Sequence, residues 1–117
     1  MSSSRPKDSA PGKDVVRGTL DLLILKTLSL EPTHGWAIAQ RLESLSRDTL
    51  QIGQGSLYPA LQRLEEKGWI DSEWKATEGG RRAKIYALTR AGKRALGDEA
   101  KSWRQYVDMV EAILETT

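Results

Sequence analysis

Gly53 to Leu88 reads GQGSLYPALQRLEEKGWIDSEWKATEGGRRAKIYAL, and the order of signals within it decides the fold. Gly53-Gln54-Gly55-Ser56 forms a turn that feeds a helix capped at Gly55 or Ser56. Pro59 then falls in the first turn, where the opening amides have no partner inside the helix and a missing N–H costs little. Leu57, Leu61 and Leu64 make an i, i+4, i+7 stripe, and Gly68 after Lys67 ends the helix. Two β-prone runs follow, Ile70 to Lys75 and Lys84 to Leu88. The segment ATEGGRRA joins them, with Gly79 and Gly80 allowing a tight turn. A short helix that runs directly into a hairpin with a basic tip places both on one face.

Upstream, Leu20, Leu22, Leu23, Ile24, Leu25, Leu28 and Leu30 are too dense for a one-sided stripe and predict a mostly buried helix with Thr19 as its N-cap. Glu31-Pro32-Thr33 stops it, and a second helix carries Trp36, Ile38, Ala39, Leu42 and Leu45, with Trp36 packed early in it. Residues 1–17, rich in Ser, Pro and charge, are expected to be a mobile arm. Downstream, Thr89 caps a last helix of roughly 40 Å. Its residues Leu96, Ala100, Trp103, Val107, Val110 and Leu114 repeat at 4-3-4-3-4, a heptad seam that Tyr106, Met109 and Ile113 widen. The expected architecture is mainly α with a small β-hairpin: a winged helix-turn-helix over 18–88 and an association helix over 89–117.

Composition narrows the function classes. The chain has 117 residues, no cysteine and one histidine, which leaves no thiolate chemistry and little material for a metal centre. His34 stands before the second helix, where a capping or surface role is expected. The neighbouring carboxylates Glu65-Glu66 and Asp98-Glu99 would point about 100° apart on a helix and share no proton. Gly53-Gln54-Gly55 lacks the rest of a dinucleotide fingerprint. No catalytic residue, metal site or cofactor is expected. No apolar run is long enough to cross a bilayer, so the default location is the cytoplasm.

The net charge is only +2, from 18 basic and 16 acidic residues, but it is segregated. Gly79 to Gly97 holds Arg81, Arg82, Lys84, Arg90, Lys93 and Arg94 and no acidic residue, which points to double-stranded DNA as partner. On the third helix, Ser56, Tyr58, Gln62 and Arg63 lie away from the leucine stripe, with Pro59 near the tip. Gln62 and Arg63 are candidate base readers, since Gln suits adenine and Arg suits guanine. Ser56 and Tyr58 are candidate phosphate ligands. Arg63 has the alternative of pairing locally with Glu66. On the hairpin, Arg81, Arg82 and Lys84 reach toward phosphate or the minor groove, with Lys75 and Thr77 on the opposing side. Trp69 and Trp74 read as core or hairpin anchors with no functional role. A hairpin that is merely charged for solubility is the plainer reading, and a winged-helix module that docks proteins without specific DNA binding is the alternative function.

The seam from Leu96 to Leu114 needs a partner, because a chain this small cannot bury a long apolar helix alone. A homodimer is the economical solution; packing back on its own domain is the other. A dimer would present two reading heads to an inverted-repeat operator with half-sites roughly 34 Å apart or a multiple of that.

The blocks GTLDLLILKTLSL, HGWAIAQRLE, GQGSLYPALQRLEEKGWI, GRRAKIYALT and TRAGKRAL, in that order from Gly18 onward, resemble those of the PadR family of transcriptional regulators, in its short form with a single C-terminal helix. The resemblance implies a dimeric DNA-binding repressor, in some members released by a small hydrophobic or aromatic molecule and in others regulated by expression alone. It also implies that Gly55 to Pro59 open the recognition helix and that Arg81 and Arg82 belong to the wing. Trp103, Tyr106 and Met109 are the residues from which an effector pocket would be built; plain interface core is the alternative.

Overall fold

The computed structural model describes residues 13–117, and side chains from residue 18 onward. Four helices and three short strands follow one another: α1 (Lys13–Leu30), β1 (Thr33–His34), α2 (Gly35–Leu45), α3 (Gln54–Glu66), β2 (Ile70–Ala76), β3 (Arg82–Leu88) and α4 (Arg90–Leu114). This is the mainly helical fold with a small sheet that the sequence predicts.

The core is where the leucine-rich elements meet. Leu20, Ile24, Leu25 and Leu28 of α1 pack with Ile38 and Leu42 of α2, Leu57, Ala60, Leu61 and Leu64 of α3, and Ile70 and Tyr86 of the sheet. The dense apolar run of α1 is buried because α1 is the central element, touched by α2, α3, α4 and β3. It starts earlier than expected. Thr19 lies inside α1 and caps nothing, because Gly18 weakens a helix without ending it. Residues 1–12 of the expected arm lie outside the described residues, and 13–17 form the first turns of α1.

α3 also begins before its predicted cap. Gly53 is the N-cap, which moves Pro59 out of the first turn and into the second. The carbonyl left without a donor is that of Gly55, one turn back on the same solvent-facing ridge, where it is open to solvent. The other end of α3 follows the expected chemistry. Gly68 takes φ +77°, its amide donates to the Glu65 carbonyl and the Trp69 amide donates to that of Leu64. These are the two bonds of a Schellman stop.

The hairpin pairs Ile70 with Leu88 through to Ala76 with Arg82. Its tip closes through the Thr77 and Gly80 amides, with Gly80 at φ +82°, as a three-residue loop with glycine in the left-handed position requires. A third strand goes beyond the expected hairpin. Thr33 and His34 pair with Tyr86 and Ile85 on the far edge of β3, so β3 is central.

α2 differs from expectation on its outer side. Trp36 is 54% exposed and Leu45 66%. Trp36 stacks on the His34 ring at 4.4 Å rather than entering the core. α4 is capped as predicted: Thr89 Oγ1 accepts from the Gly92 amide at 3.0 Å. The same hydroxyl donates to the Gly68 carbonyl at 2.7 Å, and the Thr89 amide donates to Trp69 at 3.0 Å. Gly92 is forced here, because any Cβ would run into the Trp69 carbonyl oxygen. The end of α3 and the start of α4 thus form one tight joint.

Candidate nucleic-acid interface

α3 buries Leu57, Ala60, Leu61 and Leu64, so at about 100° per residue the opposite ridge is Gly55, Pro59, Gln62 and Glu66. All four are exposed. Gln62 is therefore where the sequence reading placed it. Its donor and acceptor stand on the outermost line of the helix, beside small residues that allow close approach to base edges. Glu66, weighed from the sequence only as a neighbour of Glu65 and a local partner for Arg63, completes the same ridge; its place in the 4-3-4 spacing from Gly55 is the signal that identifies it.

The flanks differ. Tyr58, 41% exposed, lies on the sheet side with its ring against Gly35, where a Cβ would come within 2.9 Å. On the other flank Ser56 is exposed beside a small apolar cavity of about 140 Å³ lined by Leu20, Leu23, Leu50 and Ile52. Arg63 shares that flank and does not project from the ridge as a base reader would. Its Nη2 meets Asp21 Oδ1 of α1 at 2.8 Å, with the two side chains 32% and 16% exposed. The partner is neither Glu66 nor any local residue but one 42 positions away.

Ile70, Ser72, Trp74, Arg82, Lys84 and Tyr86 share one face of the hairpin, the face that meets α3 through Ser72 and Lys84. Glu65 fastens it there: Ser72 Oγ donates to Glu65 Oε2 at 2.6 Å, and Lys84 Nζ stands 3.8 Å from Glu65 Oε1. Burial and the Glu65 charge both push the Tyr86 hydroxyl above the ordinary tyrosine pKa. Lys84 is thus drawn back into the domain. Lys75 alternates onto the reverse face and pairs with Glu73 at 3.3 Å. Thr77 spends its hydroxyl on the Arg81 carbonyl at 2.8 Å. Arg81 and Arg82, both exposed, have no carboxylate partner among the described residues. Trp74, expected to be an anchor, is 57% exposed, with the Arg82 guanidinium 5.8 Å from its ring centre.

The predicted seam of α4 divides. Leu96 packs against the core and Ala100, Val107 and Val110 are half-buried, whereas Trp103, Tyr106, Met109, Ile113 and Leu114 are exposed. Trp103 and Tyr106, but not Met109, join Gly18, Thr19 and Leu22 in a concavity of about 260 Å³ between α4 and α1. Among the described residues no group of three His, Cys, Asp or Glu side chains could hold a metal, and no helix is long and apolar enough to cross a membrane.

Comparison with known proteins bears on this geometry. Residues 24–98 match the family described as the transcriptional regulator PadR-like family. The chain is 32% identical over 90 residues to the transcriptional regulator Rv3488 of Mycobacterium tuberculosis, covering 77% of this chain and 80% of that protein. Among solved structures it is similar to a PadR family transcriptional regulator from Eggerthella lenta, at 34% identity and a TM-score of 0.77, over 95% of each chain. A PadR-like transcriptional regulator from Bacillus cereus superposes with a TM-score of 0.74 at 26% identity, over 90% of this chain and 100% of that one.

Proposed function

The chain belongs to the PadR-like family of transcriptional regulators, and from that premise we propose that it is a homodimeric repressor whose α3 enters the major groove while its wing grips the backbone beside it. One observation carries the reading: Glu65, on the flank of α3 beside its exposed ridge, bonds Ser72 and Lys84 of the hairpin, which sets the arginine-bearing strand next to that ridge. Gln62 is the base reader, with Gly55 and Pro59 permitting close approach. Ser56, Tyr58, Arg81 and Arg82 hold phosphates or sugar. Arg63 and Lys84, paired within the fold, contribute to the placement of these groups rather than to contact.

The exposed apolar face of α4 supports a second copy as partner. Trp103, Tyr106, Ile113 and Leu114 continue the helix face that Leu96 buries on its own domain, so a partner's α4 would cover the remainder. The groove lined by Trp103, Tyr106 and Leu22 is where a small hydrophobic or aromatic effector would lodge, at the edge of that interface. Repression follows from occupancy of the operator.

Selection of bound duplexes from a random pool tests the reading. An inverted repeat is expected. Gln62→Ala then costs about 1–3 kcal/mol at particular base pairs, whereas Arg82→Ala weakens all sequences alike and reduces the salt slope by about 0.9. Recovery of no common sequence, or a Gln62→Ala protein with unchanged discrimination, would refute it.

A further inference from the structure

We propose that Trp74 is a positioning residue for DNA binding: its exposed indole holds the Arg82 guanidinium on the α3 side of the wing. The inference rests on the DNA-binding reading above and adds a role for a side chain that the sequence reads as a core or hairpin anchor.

The register sets up the contact. Trp74 lies directly opposite Lys84, and Arg82 is its diagonal neighbour, opposite Ala76. Either cation is within reach of an aromatic ring at such positions. Lys84 goes the other way, toward Glu65 at 3.8 Å and over the Tyr86 ring at 5.6 Å. That leaves the indole to Arg82, whose Cζ lies 5.8 Å from the ring centre, inside the range of cation–π attraction.

Two further features say that the indole serves the cation and not the core. Trp74 is 57% exposed near the end of the hairpin and is absent from the buried cluster, whereas Ile70 and Tyr86 on the same face are in it. And the contact consumes none of the guanidinium's N–H donors, because a ring face accepts the charge as a whole. Arg82 is therefore steered while all its donors remain available for phosphate oxygens. A long side chain otherwise loses its rotamer freedom when it docks; resting on the indole removes part of that loss in advance.

A double-mutant cycle on the full chain tests this, using fluorescence anisotropy with the duplex recovered by selection. Trp74→Ala is expected to weaken binding about threefold, the worth of one exposed cation–π contact, and Trp74→Phe to restore most of it. In an Arg82→Ala background, Trp74→Ala should change nothing further. Equal losses in both backgrounds would show an independent contact and overturn the proposal, as would a Trp74→Ala protein that binds like the wild type. Thermal melts check each variant's fold; should the alanine variant melt early, Trp74→Thr, a better strand former, takes its place. If the wild type binds no duplex, the DNA-binding reading falls and takes this one with it. If only the Trp74 variants are silent, this proposal alone falls.

Discussion

Removing the Asp21 carboxylate should make the protein less stable and, at the same time, a stronger non-specific DNA binder. The Asp21–Arg63 pair is a single charge-assisted hydrogen bond of 2.8 Å between a mostly buried carboxylate and a guanidinium about one-third exposed. Hydrogen bonds to charged groups contribute about 1.5–3 kcal/mol, and solvent access on the arginine side brings this pair to the lower end, about 1.5 kcal/mol. Asp21→Ala leaves no stranded charge, since Arg63 can turn into water, so the larger penalty of a broken buried pair does not apply. Alanine in mid-helix returns about 0.5 kcal/mol. The net loss is about 1 kcal/mol, or a fall in Tm of about 5 °C at fixed protein concentration.

The released Arg63 then stands beside the α3 ridge as an added cation. The salt slope for random duplex should steepen by up to about 0.9. Denaturant melts of Asp21→Ala, Arg63→Ala and the double variant give the coupling, and salt titrations give the slope. A coupling below about 0.3 kcal/mol would refute the pair as a structural tie. So would an Arg63→Ala protein of normal stability that loses about 1–3 kcal/mol at one guanine, because Arg63 would then be a base reader.

Two other tests probe the frame around the site. Gly92→Ala and Gly97→Ala change the same helix in opposite directions: the first drives a Cβ into the Trp69 carbonyl and should cost about 1–2 kcal/mol, while the second meets nothing within 4 Å and should gain up to about 1 kcal/mol. Matching signs in the two melts would refute the joint between α3 and α4. Tyr86, with its pKa raised in the fold, contributes stability that is intact below about pH 10 and is lost as pH rises through the folded value. Tyr86→Phe should therefore reduce the loss of stability above pH 10 while changing it little at pH 7, as urea melts across that range will show.

What could be read from the sequence was what local chemistry determines. Gly68 ends α3 because the backbone there is left-handed, and Thr89 begins α4 because its hydroxyl serves the Gly92 amide; both signals lie within a few residues of their effect. The leucine stripe of α3 likewise identifies the opposite ridge, Gln62 included. What escaped was set by distant partners. β1 is two residues long and exists only because β3 offers an edge, so no periodicity could reveal it. Arg63 looked available because Asp21 is 42 residues away. Trp74 alternates in step with Ile70 and Ser72 and so reads as a core or hairpin anchor; only the tertiary structure shows that the hairpin has by then run past the end of the hydrophobic cluster.

These distant contacts share a consequence for operator geometry. α1 touches both helices that matter: Asp21 ties it to α3, and on the next residue Leu22 lines the groove against Trp103 and Tyr106 of α4. The second link is the joint in which Thr89 bonds Gly68 and Trp69 and Gly92 admits no side chain. A helix held at its start and along its flank cannot pivot freely on its domain. In the proposed dimer, then, the spacing of the two α3 ridges is a property of each subunit's own packing and not of a flexible linker. An effector wedged between α1 and α4 would have to act by rotating that rigid link. Movement at Leu22 would then reach α3 through Asp21 and Arg63, without any contact between the ligand and α3 itself.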